Sequence, residues 1–270
     1  MILNEIVQQK RRDLEELKRR FPPHRLRKAV EHLRASEKRN FLKALSNPKR
    51  LNLICELKKA SPSEGIIRED FQPLRIASIY EHAGAAALSV LTEPHFFKGR
   101  PSYLKTVRQV TTIPLLRKDF IFETYQLYET ALLEADAFLL IACLLTEEEM
   151  RTLIDLGREL GMDALVEVHA DEDLKKAVDS GAQIIGINNR NLKTLEVDMN
   201  RSKQLLPHVP KGILKVVESG LTGHDQLLSY KGMGADAFLI GTAFMRSPDI
   251  LASVESFLGT DKKWKKAEEV

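Results

Sequence analysis

Residues 54–65 combine an apolar, strand-like start with charged side chains near its end. Ile54 begins the segment, Glu56 and Lys58 follow two residues apart, and Pro62 interrupts it. Side chains two residues apart in a strand project from the same face. A buried charge is costly unless it is paired. A carboxylate and an ammonium group on one face of a core strand therefore indicate a functional site and not packing alone.

The same pattern recurs where later apolar runs end. The polar residues at these ends are Lys118, Glu167, Asn188, Arg190 and Glu218. Together with Glu56 and Lys58, they provide three carboxylates and three cations, so the group can neutralise its own charge. It also contains both proton donors and proton acceptors, which general acid–base catalysis requires.

These side chains must be positioned by a regular alternation of apolar runs and helical patterns. The apolar runs lie at 51–57, 86–92, 113–119, 137–143, 163–168, 184–188, 213–218 and 237–241. The helical patterns between and after them lie at 74–82, 103–110, 124–134, 147–160, 171–180, 199–206, 224–230 and 248–258. Continuous apolar strands that alternate with helices are typical of a parallel sheet buried on both faces.

Eight such units predict an α/β fold, a single (β/α)8 TIM barrel, in which the carboxyl ends of the strands meet at one rim. A doubly wound open sheet is the alternative. No G-x-G-x-x-G motif follows the first strand, which argues against a dinucleotide site.

The chain before the first strand differs in composition from the rest. Residues 1–50 carry 15 Lys or Arg against 6 Asp or Glu, whereas the whole chain has a net charge of only +3. Helical patterns at 2–20, 24–34 and 41–45 present an apolar stripe. We predict a helical extension over 1–48 packed on a barrel over 49–260, with its positive charges on a solvated face. A charged tail follows at 261–270.

Composition and motifs argue against several other classes of protein. Cys55 and Cys143 both lie in apolar runs, which predicts two buried thiols without metal-ligand spacing. The longest apolar run, 137–145, is too short to cross a bilayer, and the N-terminus lacks the apolar core of a signal peptide. We therefore expect a cytoplasmic protein with no membrane partner.

The basic N-terminus raises nucleic-acid binding as an alternative, because positive charge attracts phosphates. Its charges interleave with the apolar stripe, and no recognised nucleic-acid motif is present. We therefore expect no nucleic-acid partner.

Small residues after the last two predicted strands indicate an anion site. Ser219 and Gly220 follow the seventh strand, and Gly241 and Thr242 follow the eighth. Glycine allows close backbone approach to a ligand, and helix N-termini favour anions. Barrels often bind phosphate in these two loops. Tight turns without a ligand are the alternative interpretation.

Several ordered motifs resemble the signature of the indole-3-glycerol phosphate synthase family. They are E-L-K-K-A-S-P-S at 56–63, L-S-V-L-T-E at 88–93, F-F-K-G at 96–99, L-R-K-D-F at 116–120, L-V-E-V-H at 165–169, I-G-I-N-N-R-N-L at 185–192 and V-E-S-G at 217–220. The resemblance runs from about residue 50 to 246 and includes a helical N-terminal extension.

The resemblance implies a lyase of tryptophan biosynthesis. The family closes 1-(2-carboxyphenylamino)-1-deoxyribulose 5-phosphate to indole-3-glycerol phosphate, with loss of carbon dioxide and water and without a cofactor or metal. It also implies that Lys118 is the general acid for ring closure and that Lys58 is a candidate second acid for dehydration. Glu167 and Glu56 would stabilise positive charge on the anilinic nitrogen and accept a proton, and Asn188 would orient the substrate together with Glu218.

The resemblance further implies the residues that bind each part of the substrate. Ser61 and Pro62 would lie beside the substrate carboxylate, and Phe97 and Phe120 would surround the anthranilate ring. The residues implied around the phosphate are Lys58, Arg190, Ser219, Gly220, Gly241 and Thr242.

A different phosphate-binding barrel enzyme, such as phosphoribosylanthranilate isomerase, is the rival interpretation. The Glu56-x-Lys58-x-x-Ser61-Pro62 loop and the long N-terminal extension argue against it. The expected partner is a phosphorylated small molecule, and the expected state is a monomer or weak homo-oligomer.

Overall fold

The structure is a computed structural model that describes residues 2–31, 38–192 and 194–260. Eight parallel strands pair in sequence order and form a closed barrel, because the first strand also pairs with the last, with Asn52 opposite Ala237. We name these strands β1 (Asn52–Leu57), β2 (Ala87–Leu91), β3 (Leu115–Lys118), β4 (Ala137–Ile141), β5 (Asp163–Val168), β6 (Ile184–Asn188), β7 (Leu214–Glu218) and β8 (Ala237–Ile240). The predicted (β/α)8 barrel is confirmed.

Helices precede the barrel and connect its strands. They are α1 (Ile2–Arg20), α2 (Pro23–Glu31), α3 (Phe41–Leu45), α4 (Pro73–His82), α5 (Ser102–Arg108), α6 (Thr124–Leu132), α7 (Glu147–Glu159), α8 (Asp171–Asp179), α9 (Asn200–Leu205), α10 (His224–Gly232), α11 (Thr242–Arg246) and α12 (Ile250–Leu258). The sequence pattern missed α11 and a small antiparallel hairpin, Ala60–Ser61 with Gly65–Ile66. Residues 32–34 of the second predicted helix and the predicted tail at 261–270 lie outside the described residues.

One apolar run extends past its strand, and this makes one prediction about the cysteines wrong. β4 ends at Ile141, and residues Ala142–Leu144 form a single 3₁₀ turn. Cys143 lies in that turn and is exposed, whereas Cys55 is buried in β1 as expected. An apolar run cannot distinguish a strand from the tight turn that follows it.

The barrel interior is an apolar cluster that continues into the N-terminal helices. Ile54 and Leu165 are fully buried members of this cluster, which also includes Phe41 and Leu45 of α3. Leu42 of α3 donates its backbone N–H to Asp163 at the start of β5, so α3 lies at the amino ends of the strands. The opposite, carboxyl ends of the strands form the rim that carries the polar residues.

Helix α1 packs on that carboxyl rim. Leu3, Ile6 and Leu14 of α1 are buried. Lys10 is buried as well, and its Nζ lies 2.6 Å from Oδ1 of Asp119, just after β3. The expectation of a fully solvated basic face is therefore wrong at Lys10, because the barrel supplies a buried carboxylate as its partner. In the described part of the chain, no helix has the length and apolar character needed to cross a membrane.

Candidate active site

The centre of the carboxyl rim is the ammonium group of Lys118, at the end of β3. Its Nζ lies 2.9 Å from Oε2 of Glu167 on β5 and 2.7 Å from Oε2 of Glu218 on β7. The lysine side chain is 13% exposed and each carboxylate side chain 2%. Three strands that are distant in sequence thus place one cation between two buried carboxylates.

The surroundings of Lys118 keep it protonated. Burial acts to lower its pKa, but the carboxylates of Glu167, Glu218 and Glu56 outweigh burial and raise the pKa of Lys118 well above its ordinary value. A protonated, largely buried lysine that faces a pocket can donate hydrogen bonds and, when a stronger base develops beside it, a proton.

The two carboxylates that share Lys118 have pKa values displaced in opposite directions. Burial raises the pKa of Glu218 to about 7, and the negative charge of Glu167 opposes the attraction of Lys118 there. For Glu167, burial acts to raise the pKa, but the positive charge of Lys118, with smaller contributions from His169 and Asn188, outweighs burial, so its pKa lies below its ordinary value. Carboxylates whose environments separate their pKa values are typical of acid–base sites.

Each carboxylate has one oxygen on Lys118 and a second, buried oxygen without a hydrogen bond among the described residues. Oε1 of Glu167 lies 3.4 Å from Nε2 of His169, two positions along the chain. Oε1 of Glu218 lies where a β-carbon on Gly186 of β6 would collide with it. Sequence reasoning assigned no role to His169 or Gly186, although the motifs at 165–169 and 185–192 contain them.

A second ion pair lies on β1 and the residues that follow it. Lys58 Nζ is 3.0 Å from Glu56 Oε1, and Ser89 of β2 donates its hydroxyl to Glu56 Oε2 at 3.3 Å. A β-carbon on Gly241 would lie 2.5 Å from Glu56 Oε1. The absence of a side chain at 241 therefore makes room for the Glu56 carboxylate, a reason that the sequence did not reveal.

A pocket with an empty volume of about 880 Å³ opens above these groups. The predicted residues along its wall are Glu56, Lys58, Ser61, Pro62, Phe97, Lys118, Phe120, Glu167, Asn188, Arg190, Glu218 and Ser219. The rings of Phe97 and Phe120 lie 6.1 Å apart with their planes tilted by 41°. Apolar walls around a few convergent polar groups suit a ligand with an aromatic ring.

The N-terminal helix completes this pocket. Ile2, Leu3 and Ile6 of α1 line it, as does Leu192 after β6. The sequence indicated that the apolar stripe of α1 must be buried, and its i, i+3, i+4 spacing was the available signal. It could not show that part of the stripe forms a wall of the site.

A second pocket adjoins the first and contains the residues predicted to bind an anion. Its empty volume is about 800 Å³, and its lining includes Ser219, Gly220, Gly241, Thr242, Lys58, Arg190 and Arg246. Lys58 and Arg190 line both pockets. The backbone after β7 turns sharply, with φ values of 66° at Ser219 and 78° at Gly220. All predicted site residues therefore line one or both of two joined pockets, and Arg246 was missed.

The hairpin after β1 borders the first pocket and contacts Arg190, which lines both pockets. Ser61, Pro62 and Ser63 line the first pocket. Arg190 donates from Nη1 to the carbonyl of Leu195 at 2.9 Å, and its Nη2 lies 3.6 Å from Oε1 of Glu64.

Within the described ranges, no group of three or more His, Cys, Asp or Glu is arranged to hold a metal ion.

Polar side chains from β1, β3, β5, β6 and β7 at the carboxyl rim define an enzyme of general acid–base chemistry on a (β/α)8 barrel. The family model for indole-3-glycerol phosphate synthase matches residues 3–257. The chain belongs to the indole-3-glycerol phosphate synthase family, and its activity is that of a carboxy-lyase in tryptophan biosynthesis.

Individual relatives agree with this assignment. An indole-3-glycerol phosphate synthase from Campylobacter jejuni is 48% identical over 250 residues, which cover 92% of this chain and 96% of that protein. One from Aliarcobacter butzleri is 45% identical over 262 residues, with 96% and 99% covered.

Solved structures with low sequence identity share the fold alone. One is 3-hexulose-6-phosphate synthase from Salmonella typhimurium, at 12% identity and a TM-score of 0.57, covering 79% of this chain and 100% of that one. Another comes from the tryptophan synthase complex of Pyrococcus furiosus, at 16% identity and a TM-score of 0.58, covering 77% and 98%.

Proposed function

We propose that the substrate, 1-(2-carboxyphenylamino)-1-deoxyribulose 5-phosphate, lies across both pockets. Its anthranilate ring contacts Phe97 and Phe120, and its carboxylate lies beside Ser61 and Pro62. The apolar lining of the first pocket and the glycine-rich, basic lining of the second support this orientation. Lys58 and Arg190 line both pockets and would contact the phosphate from the shared side.

In this proposal, Lys118 is the general acid for ring closure. As the aromatic carbon attacks the substrate carbonyl, negative charge develops on the carbonyl oxygen, and Lys118 stabilises it and transfers a proton. The two carboxylates at 2.9 and 2.7 Å hold the ammonium group in place. Such preorganised donors in a site that excludes water contribute strongly to transition-state stabilisation.

Glu167 and Glu56 stabilise the positive charge that develops on the substrate. Attack by the ring leaves positive charge on the anilinic nitrogen, and an ionised carboxylate stabilises it and later accepts a proton. The lowered pKa of Glu167 keeps this group ionised near neutral pH. Asn188 and Glu218 orient the substrate in this proposal, and Lys58 supplies the proton for dehydration.

The single observation that carries the proposal is the placement of Lys118 between Glu167 and Glu218 at the base of an apolar pocket. The direct test is to incubate the purified protein with the substrate and follow indole fluorescence. We expect fluorescence to rise with enzyme concentration. No increase with fresh substrate, or turnover of the substrate of phosphoribosylanthranilate isomerase instead, would overturn the proposal.

We further propose the organisation and setting of the protein. Residues 1–48 act as an extension of the barrel at 49–260, and residues 261–270, which lie outside the described residues, are a charged tail. Two cysteines without a disulfide suit a reducing compartment, which supports a cytoplasmic location. The protein works as a monomer or weak homo-oligomer on a small phosphorylated molecule, without a nucleic-acid partner.

A further inference from the structure

Glu64, in the hairpin after β1, contacts two arginines of the anion pocket. Its Oε2 lies 3.0 Å from Nη2 of Arg246, at the end of α11, and its Oε1 lies 3.6 Å from Nη2 of Arg190. The Glu64 side chain is 15% exposed and that of Arg246 is 63% exposed. Since both arginines line the second pocket, one carboxylate from the hairpin engages two of its cations.

The backbone around Arg246 is fixed to the same part of the chain. Arg68, just beyond the hairpin, donates from Nη1 to the carbonyls of Met245 and Ser247 at 3.1 and 2.9 Å. Lys59 accepts the backbone N–H groups of Ile67 and Arg68. These bonds place Arg246 next to the hairpin whether or not its side chain contacts Glu64.

The contacts of Glu64 with Arg246 and Arg190 are ion pairs that lack good hydrogen-bond geometry. Oε2 of Glu64 is buried and makes no hydrogen bond within the described part of the chain, although Arg246 lies 3.0 Å away. The distance of 3.6 Å to Arg190 is also longer than a hydrogen bond. A phosphate group offers three acceptor oxygens and about two negative charges, and it suits guanidinium groups better than this loosely paired carboxylate does.

We propose that Arg246 is a phosphate-binding residue and that Glu64 is the carboxylate that the phosphate group displaces from Arg246 and Arg190. This rests on the proposed binding of the substrate phosphate in the second pocket. Glu64 then belongs to the hairpin that also carries Ser61 and Pro62, so phosphate binding frees the side chain of a loop that borders the first pocket.

If the proposal holds, substitutions of Arg246 and of Glu64 change phosphate affinity in opposite directions. Arg246→Gln removes a ligand of phosphate, whereas Glu64→Gln removes a negative charge that competes with phosphate. A structural brace would behave differently, because either substitution would break it and both would weaken binding alike. The sign of the effect of Glu64→Gln therefore separates a displaced carboxylate from a brace.

The experiment measures the inhibition constant of inorganic phosphate and the KM for substrate in the parent enzyme and in each variant. We expect Arg246→Gln to raise the inhibition constant about tenfold, as loss of one charge-assisted hydrogen bond does. We expect Glu64→Gln to lower it about threefold, in the range of a partly exposed ion pair. Arg246→Lys should retain part of the affinity because it retains the charge.

Arg158→Gln is the matched control, because Arg158 forms an exposed ion pair with Asp155 on α7 and should leave phosphate inhibition unchanged. Weaker phosphate binding in both Arg246→Gln and Glu64→Gln would overturn the proposal in favour of a brace. No change in Arg246→Gln would overturn it as well. Failure of phosphate to compete in the parent enzyme would refute the phosphate pocket itself, and the proposal with it.

Discussion

Replacing Lys118 by methionine removes the cation between two buried carboxylates. Methionine keeps an unbranched side chain of similar length, so the change leaves Glu167 and Glu218 facing each other without the ammonium group at 2.9 and 2.7 Å. Breaking a buried ion pair by removing one partner costs about 3–5 kcal/mol of stability. A domain of this kind has about 5–15 kcal/mol, so we expect Lys118→Met to fold with reduced stability.

The stability that Lys118→Met loses relative to the parent should increase with pH. Without Lys118, burial and mutual repulsion raise the pKa values of Glu167 and Glu218 above those of the unfolded chain. Groups with raised pKa values contribute stability at low pH and lose that contribution as pH rises through the folded pKa. The deficit of Lys118→Met relative to the parent should therefore be small near pH 5 and grow towards pH 8. Urea unfolding at both pH values measures it.

The main effect of Lys118→Met should be on kcat, because the variant lacks the general acid. General acid catalysis contributes about 10²–10⁴-fold, and kcat of Lys118→Met should fall by at least about 10²-fold in the indole-fluorescence assay. Lys118→Arg is the matched variant, because it keeps the positive charge but replaces the compact ammonium group by a larger, planar guanidinium whose donors are placed differently. It should recover stability without recovering kcat. Lys175→Met, at an exposed position, controls for loss of a lysine. Near-normal turnover of Lys118→Met would refute the assignment.

Three further predictions concern the surroundings of this cluster. The pKa of Glu218 is raised from 4.5 to about 7. The free energy of unfolding of the parent, relative to that of Glu218→Gln, should therefore fall by at most about 3 kcal/mol as pH rises from 4.5 to 7. A difference between the two in urea unfolding that does not change with pH would contradict this. Gly186→Ala should lower kcat about 10–100-fold by displacing the Glu218 carboxylate, whereas Gly223→Ala, where no atom lies within 4 Å of the added carbon, should not. Deletion of residues 1–40 should raise KM more than it lowers kcat, and part of that rise should disappear at high salt because exposed charges are screened over about 8–10 Å. An unchanged KM at low salt would show that the extension only braces the barrel.

The polar rim could be predicted from sequence because the barrel topology itself brings strand ends together. Once eight alternating units were recognised, Glu56, Lys118, Glu167 and Glu218 had to share one rim. Their pairing could not be predicted. Whether Lys118 contacts Glu167, Glu218 or Glu56 depends on the stagger between strands and on rotamers, and the one-dimensional pattern contains neither.

The role of the glycines was predicted only in part. Gly220 and Gly241 were interpreted as openings for a ligand. The structure shows that the protein's own packing also requires them, since a β-carbon at 220 would collide with Met199 and lie 2.6 Å from Val197, and one at 241 would press on Glu56. A bulky substitution at 241 would therefore disturb Glu56 as well as an anion, which makes it a poor test of the phosphate pocket alone.

The roles of residues whose partners are distant in the chain were the hardest to predict from sequence. Lys10 looked like one more charge on a solvated helix, yet it pairs with Asp119 at 2.6 Å and holds α1 over the pocket. Arg246 lies in no motif that the sequence singled out, and Glu64 was given no role although it belongs to the segment 54–65. Their proximity depends on how α11 packs against the hairpin. Contacts between segments more than a hundred residues apart follow from the folded barrel and not from local pattern.

The central claim is that Glu167 holds the ammonium group of Lys118 in place for catalysis, so that the two residues act as one unit. The kinetics of Lys118→Met, Glu167→Gln and the double variant test it most directly. Residues that act together lose their contribution when either is removed, so effects on kcat are far from additive. We predict that each single variant loses kcat strongly and that the double variant is about as slow as the slower single one. Losses that multiply in the double variant would show that the two residues act independently, contrary to this account.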